Sequence, residues 1–168
     1  ADIDQATDAL IGAAYGSAGE RCMAISVAVA VGDVADKLIE NIKPKINNIK
    51  VGPYNDKHSD MGPVVSKEAF ERINGLIDTG VSDGAELILD GRNIKLQGYE
   101  EGYFIGPCLF DKVNDSMKIY KEEIFGPVLS VVRKNTYEEA LRLLKENKYG
   151  NGCSIFTRDG DTARNFSN

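Results

Sequence analysis

Apolar residues recur at helical spacing from the start of the chain, where Ala6, Ala9, Leu10 and Ala13 fall on one side of a helix over residues 4–15. Gly16-Ser17-Ala18-Gly19 breaks that pattern and predicts a loop. Met23 to Val31 is a run of small and β-branched residues without polar alternation, which suits a buried strand. A second helical stripe follows in Val34, Leu38, Ile39, Ile42 and Ile46, with Pro44 expected to kink that helix or end it near Lys43. Residues 51–65 mix Gly, Pro, Asn, Asp and His and predict a long surface loop. Ser66 is placed to cap a third helix, whose stripe is Phe70, Ile73 and Ile77 and whose end is marked by Gly80 and Gly84.

Strand signals dominate the next stretch. Ala85 to Leu89 predicts a short strand, Asp90-Gly91 a turn, Tyr103 to Phe110 an extended segment interrupted at Pro107, and Val128 to Val132 a further strand. Thr136 and Glu139 have the spacing of a capping box, and Ala140, Leu141, Leu143 and Leu144 supply the buried side of the helix behind it. Gly150 and Gly152 end that helix, Cys153 to Thr157 predicts one more strand, and Asp161 can cap a last helix. Strands thus alternate with helices, which predicts an α/β fold: a layered sheet with helices on both faces and parallel pairing for the helix-linked strands. No repeat, low-complexity tract or linker divides residues 1–168, so one domain is expected.

Composition narrows the function classes. At 168 residues, 42% hydrophobic and 27% charged, the chain can bury a core and is not of disordered type. A net charge of -6 without any basic stretch argues against nucleic acid as a partner. The longest apolar run, Ala24 to Gly32, is well short of the roughly 20 residues that cross a membrane. The N-terminus lacks a signal sequence, and its Ala1 suggests a chain cut from a longer one or processed. Three widely spaced cysteines disfavour a disulfide framework, no Cys/His cluster suggests a metal, and the lone His58 sits in a polar loop where solvation is expected. A cytoplasmic location follows as the expectation.

Two stretches carry candidate chemistry. In Gly16-Ser17-Ala18-Gly19-Glu20-Arg21-Cys22-Met23 a cysteine ends a loop of small residues ahead of a buried strand. Such a loop can hold a thiol rigidly, admit substrate close to the backbone and offer amides to an oxyanion. Arg21 adds the adjacent positive charge that favours thiolate chemistry, although a cysteine in this setting is more often structural. In Lys121-Glu122-Glu123-Ile124-Phe125-Gly126-Pro127-Val128 two acids precede an aromatic and a Gly-Pro turn. That pattern fits a solvated acidic pair beside a core Phe, or a cleft carboxylate that accepts sugar hydroxyls above an aromatic platform. Asp60-Met61-Gly62-Pro63-Val64 reads as a shaping turn, and Cys108 and Cys153 read as core residues of apolar strands.

In order and spacing, these stretches resemble the aldehyde dehydrogenase superfamily. Gly-Glu-Arg-Cys at 19–22 is similar to its nucleophile loop, Glu122 to Pro127 to its Glu-Glu-Ile-Phe-Gly-Pro signature, and Gly102-Tyr103-Phe104-Ile105-Gly106-Pro107 to its Gly-Tyr-Phe-x-x-Pro segment. Asp60 to Pro63 and Tyr149-Gly150-Asn151-Gly152 fall where that family has comparable turns, so the resemblance covers essentially the whole chain. Gly16 to Ser26 is most similar to the CoA-acylating methylmalonate-semialdehyde dehydrogenase branch. The resemblance implies Cys22 as nucleophile, Arg21 as a holder of a substrate carboxylate, Glu123 at the ribose of NAD, and Phe125 near the nicotinamide. It implies NAD as cofactor, coenzyme A as acyl acceptor and a small carboxylate-bearing aldehyde as substrate.

The same resemblance implies that this is a partial catalytic domain, truncated at both ends. The dinucleotide-binding domain, an oxyanion asparagine, an upstream glutamate and a second carboxylate-binding arginine would precede Ala1. No Gly-x-Gly-x-x-Gly phosphate loop occurs in the chain. The chain alone is therefore expected to lack NAD-dependent turnover, and the apolar surface left bare is expected to drive homo-oligomerisation, a dimer first. The alternatives are a hydrolytic aldehyde dehydrogenase giving a free acid, and a non-catalytic interaction domain with a buried, unreactive Cys22.

Overall fold

A computed structural model describes all of residues 1–168. Helix α1 (Ile3–Tyr15) begins where Asp2 accepts the Gln5 amide, and ends in a tight 3-10 turn, Gly16–Gly19. Strand β1 (Val27–Val31) and helix α2 (Val34–Asn47) follow, then helix α3 (Lys67–Ser82), capped at 3.2 Å by the Ser66 hydroxyl. The second half runs β2 (Glu86–Leu89), β3 (Cys108–Val113), the single-turn α4 (Lys118–Lys121), β4 (Val128–Lys134), α5 (Tyr137–Glu146) and α6 (Gly160–Ser167).

The strands form one sheet in the order β1-β4-β3-β2. β1 and β3 each run parallel to β4, in registers that place Val27 beside Ser130 and Cys108 beside Val128, while β2 is antiparallel to β3. Burial is almost continuous along β3 and β4, as expected of strands covered on both faces, whereas β1 alternates between half-buried valines and the buried Ala28 and Ala30. One cluster of 30 buried residues joins the sheet to α1, α2, α3 and α5. Within it Tyr15, 2% exposed, donates its hydroxyl to the Cys108 carbonyl at 3.0 Å, and burial pushes its phenol well above its ordinary range.

The α/β class and most of the element order match the sequence reading, while α4 is an addition and several boundaries differ. β1 starts at Val27 rather than Met23, because the Ala24 amide turns back onto the Arg21 carbonyl at 3.0 Å and the Ile25 amide goes to the Ala13 carbonyl at 3.1 Å, which keeps residues 23–25 out of the ladder. α2 passes through Pro44 unbroken to Asn47. The proline falls in the exposed last turn, where a carbonyl left without its amide can be solvated. α3 likewise passes Gly80, whose missing side chain leaves room for Ile119 and Phe110, and the turn comes at Gly84 with φ +97°. The loop at 51–65 is not wholly a surface feature: Met61 and Val64 are buried, and Val51 and Met61 form a parallel bridge.

β3 starts only after Pro107, which has no amide to donate, and continues beyond Phe110 to Val113. At α5, Thr136 accepts the Glu139 amide at 3.2 Å, but the Glu139 carboxylate reaches the Asn135 amide at 2.8 Å, one residue ahead of the cap. α6 is capped by Asp159, which accepts the Thr162 amide at 2.7 Å, and not by Asp161. Cys153 to Thr157 forms no strand and Cys153 is exposed rather than core. Residues with strand propensity become a strand only where a neighbour meets their amides and carbonyls, and none does here.

Candidate active site

Because β1, β3 and β4 are parallel, the segments that precede them emerge at the same end of the sheet. Those segments are the Cys22 loop, the Gly102–Pro107 segment and the Glu122–Pro127 segment. The sequence motifs separated by about a hundred residues are thereby gathered at the amino ends of the strands. Ligand sites of open parallel sheets ordinarily lie at the carboxyl ends, so the gathering here comes from the motif loops themselves.

Two of these loops touch. Gly19 has φ +69°, and a side chain on it would overlap the Gly126 carbonyl and crowd the Ala14 carbonyl. Gly126 in turn lies under Ile73 of α3, whose side chain occupies the place a Gly126 Cβ would need. Two glycines and one buried isoleucine therefore lock the Cys22 loop onto the Glu123–Phe125 loop. Backbone strain concentrates at the same point: Ser17 (φ 52°), Ala18 (φ 54°) and Phe125 (φ 51°) are three of the five non-glycine residues with left-handed backbone. Such conformations cost on the order of 1–3 kcal/mol each and persist only where the surroundings impose them, which favours a functional origin.

Cys22 is exposed, and its amide and thiol make no hydrogen bond with the chain. Its carbonyl accepts the Asn151 carboxamide at 2.6 Å. Sequence reading placed Asn151 in a turn but gave it no role, since the partner lies 129 residues away. Glu20 accepts the Val65 amide at 3.2 Å, fixing the other flank of the loop. Arg21 departs from the expectation that its charge sits on the thiol. Its Nη2 donates to the carbonyls of Gly12 at 2.7 Å and Ala13 at 3.4 Å, in the last turn of α1, and it lies over Gly16. Arg21 thus adds a donor to carbonyls that already accept the Gly16 and Ile25 amides, and ties the end of α1 to the Cys22 loop. Its Nε and Nη1 hydrogens remain uncommitted.

Glu123 is exposed, and its carboxylate makes no hydrogen bond within the chain, while its carbonyl accepts from Arg72 of α3 at 3.2 Å. Nothing in the sequence singled out Arg72. Ile124 is buried and anchors the loop, leaving Phe125 half-buried beside it. The Pro127 carbonyl accepts the Cys108 amide at 2.8 Å, so the loop passes without slack into the β3–β4 ladder. Cys108 itself is sealed in the core, where burial pushes its thiol up to about 11. His58 is exposed, and no three His, Cys, Asp or Glu side chains gather in a way that could hold a metal. No helix is long and apolar enough to cross a membrane.

Comparison with known proteins agrees with this arrangement. The aldehyde dehydrogenase family profile matches residues 1–168. A malonate-semialdehyde dehydrogenase of Pseudomonas aeruginosa is 57% identical over 99% of this chain and 34% of its own length. An acylating mitochondrial methylmalonate-semialdehyde dehydrogenase of Arabidopsis thaliana is 50% identical over 99% of this chain and 27% of its own. Among solved structures, a Sinorhizobium meliloti protein assigned as a methylmalonate-semialdehyde dehydrogenase, in complex with NAD, superposes with a TM-score of 0.98. It shares 62% identity over 99% of this chain and 34% of its own. The chain spans about a third of the length of these relatives. With a family profile covering every residue, and with that family's motifs joined at one end of the sheet, the chain belongs to the aldehyde dehydrogenase family.

Proposed function

We propose that this chain is the nucleophile-bearing part of an NAD-dependent, CoA-acylating dehydrogenase of malonate or methylmalonate semialdehyde. The observation that carries the reading is the contact between Gly19 and Gly126, which joins the loop of the exposed Cys22 to the loop of Glu123 and Phe125. The uncommitted Glu123 carboxylate suits two neighbouring sugar hydroxyls, and the half-buried ring of Phe125 suits the flat face of a nicotinamide, so the residues present fit that end of NAD. When bound, NAD supplies the hydride acceptor.

The chain's own residues then have these roles. The Cys22 thiolate adds to the aldehyde carbon and forms a thiohemiacetal whose oxygen bears the negative charge. The Cys22 amide, unclaimed within the chain, is available to that oxygen. Loss of hydride leaves a thioester on Cys22, which the thiol of coenzyme A attacks to give acyl-CoA and the free Cys22 thiolate. Carbon dioxide is lost in the methylmalonate case. Arg21, steadied through Nη2, offers its Nε and Nη1 donors to the substrate carboxylate. Glu123 and Phe125 orient the nicotinamide end over Cys22.

The test uses the full-length polypeptide, malonate semialdehyde and NAD. A single turnover without coenzyme A should leave an acyl group on Cys22, and coenzyme A should release it as acyl-CoA. Full turnover by Cys22→Ser would overturn the assignment, and rapid release of free acid without coenzyme A would favour a hydrolytic enzyme. The isolated 168-residue chain should produce no steady NADH, because two thirds of its relatives' length lies outside it.

A further inference from the structure

Arg21 to Ala24 form a β-turn, closed by the Ala24 amide on the Arg21 carbonyl at 3.0 Å, with Cys22 and Met23 as its central residues. The Arg21 carbonyl and the Cys22 amide belong to one planar peptide group, so the bond that closes the turn also sets the direction of that amide. The central peptide, Cys22–Met23, is not held by the turn's own bond. It is the peptide that turns over between type I and type II turns, and Met23 here lacks the positive φ that type II requires. Its carbonyl is held from outside the turn: the Asn151 carboxamide donates to it at 2.6 Å, across 129 residues of sequence. Gly152 packs directly against Met23, where a Cβ would lie 2.7 Å from the Met23 methyl. Residues 151–152 thus meet both central residues of the turn, through contacts made within the chain.

We propose that Asn151 is a positioning residue for the Cys22 nucleophile, acting through the Cys22–Met23 peptide. The proposal rests on the reading of Cys22 given above. Attack on the aldehyde leaves negative charge on the thiohemiacetal oxygen, next to the Cys22 backbone. A Cys22 carbonyl free to turn over would present its partial negative charge to that oxygen and oppose the reaction. With the carboxamide donating to it, the carbonyl points at Asn151 and stays there. Both peptide groups that flank the Cys22 Cα are then fixed, one by the Ala24 amide and one by Asn151. The thiol and the Cys22 amide therefore keep one mutual orientation before substrate arrives, which removes a reorganisation cost from the attack. Asn151 needs no contact with the reacting atoms for this role.

The test uses the full-length polypeptide carrying Asn151→Ala or Asn151→Asp. The aspartate keeps the shape of the side chain, but its ionised carboxylate has no hydrogen to donate. Both variants should slow single-turnover NADH formation from malonate semialdehyde by about tenfold or more, since roughly 1 Å of misplacement can cost about a hundredfold. KM for NAD and the melting temperature should stay close to wild type, because the bond serves the direction of the attack and not cofactor binding or the fold. A wild-type rate in Asn151→Asp would overturn the proposal, since it would leave the side chain a space-filling role only. A wild-type rate in both variants would overturn it too, as would a rate, an NAD affinity and a melting temperature that all fall together. Failure of the underlying reading shows separately, as full turnover by Cys22→Ser with Asn151 intact.

Discussion

Gly19 lies so close to the Gly126 carbonyl that it cannot carry a side chain, and this contact joins the Cys22 loop to the Glu123–Phe125 loop. Gly19→Ala places a methyl against the Gly126 carbonyl at a backbone φ of +69°, where an L side chain is already strained. The expected loss is on the order of 2 kcal/mol or more. It should appear as a lower denaturant midpoint at unchanged slope. A midpoint equal to wild type would mean that the two loops are not locked.

Asp111 on β3 and Arg133 on β4 form a two-point ion pair, with Nε to Oδ1 at 3.0 Å and Nη2 to Oδ2 at 2.7 Å. Arg133 also reaches Asp36 of α2 at 2.6 Å. Burial raises the Asp111 carboxyl, but the Arg133 hydrogen bonds and the Lys112 amide outweigh it and hold the group below its ordinary range. With a folded value below the unfolded one, the pair stabilises above about pH 4 and loses that contribution as pH falls through the folded value. Arg133→Met should cost about 1–3 kcal/mol at pH 7, less than a fully buried pair because Arg133 is partly exposed. Unfolding measured from pH 7 to 3 should show a shallower acid loss in the variant than in wild type.

Ser130 lies at the centre of β4, 1% exposed, and its hydroxyl has no hydrogen-bond partner. Ser130→Ala removes a buried polar group that gains nothing from burial, and should be neutral or stabilising by about 1 kcal/mol. A drop in melting temperature of several degrees would show that the hydroxyl is satisfied.

Arg21→Lys replaces five donors on a planar fork by one ammonium. In the full-length enzyme it should raise KM for the semialdehyde at least about tenfold, the size of one lost charge-assisted hydrogen bond. KM for an aldehyde without a carboxylate should change much less. An equal rise for both substrates would assign Arg21 to holding the α1 end alone, through its bonds to Gly12 and Ala13.

The sequence by itself determined most of the elements and two of the helix caps. The stripe from Leu38 to Ile46, the Ser66 and Thr136 caps and the continuous apolar run of β4 are local patterns, and local physics reads them. It also marked Cys22, Glu123 and Phe125, because motif order along a chain is a linear property. Only the tertiary structure decided that these motifs meet, since parallel pairing of β1, β3 and β4 brings their leading loops to one end. It turned the Arg21 Nη2 onto α1, seated Asn151 on Cys22, and left Cys153 exposed for want of a strand partner. Each of these depends on which distant groups satisfy a donor or a carbonyl. That choice is set by strand register and packing across the fold, which hydrophobic periodicity within one segment does not encode.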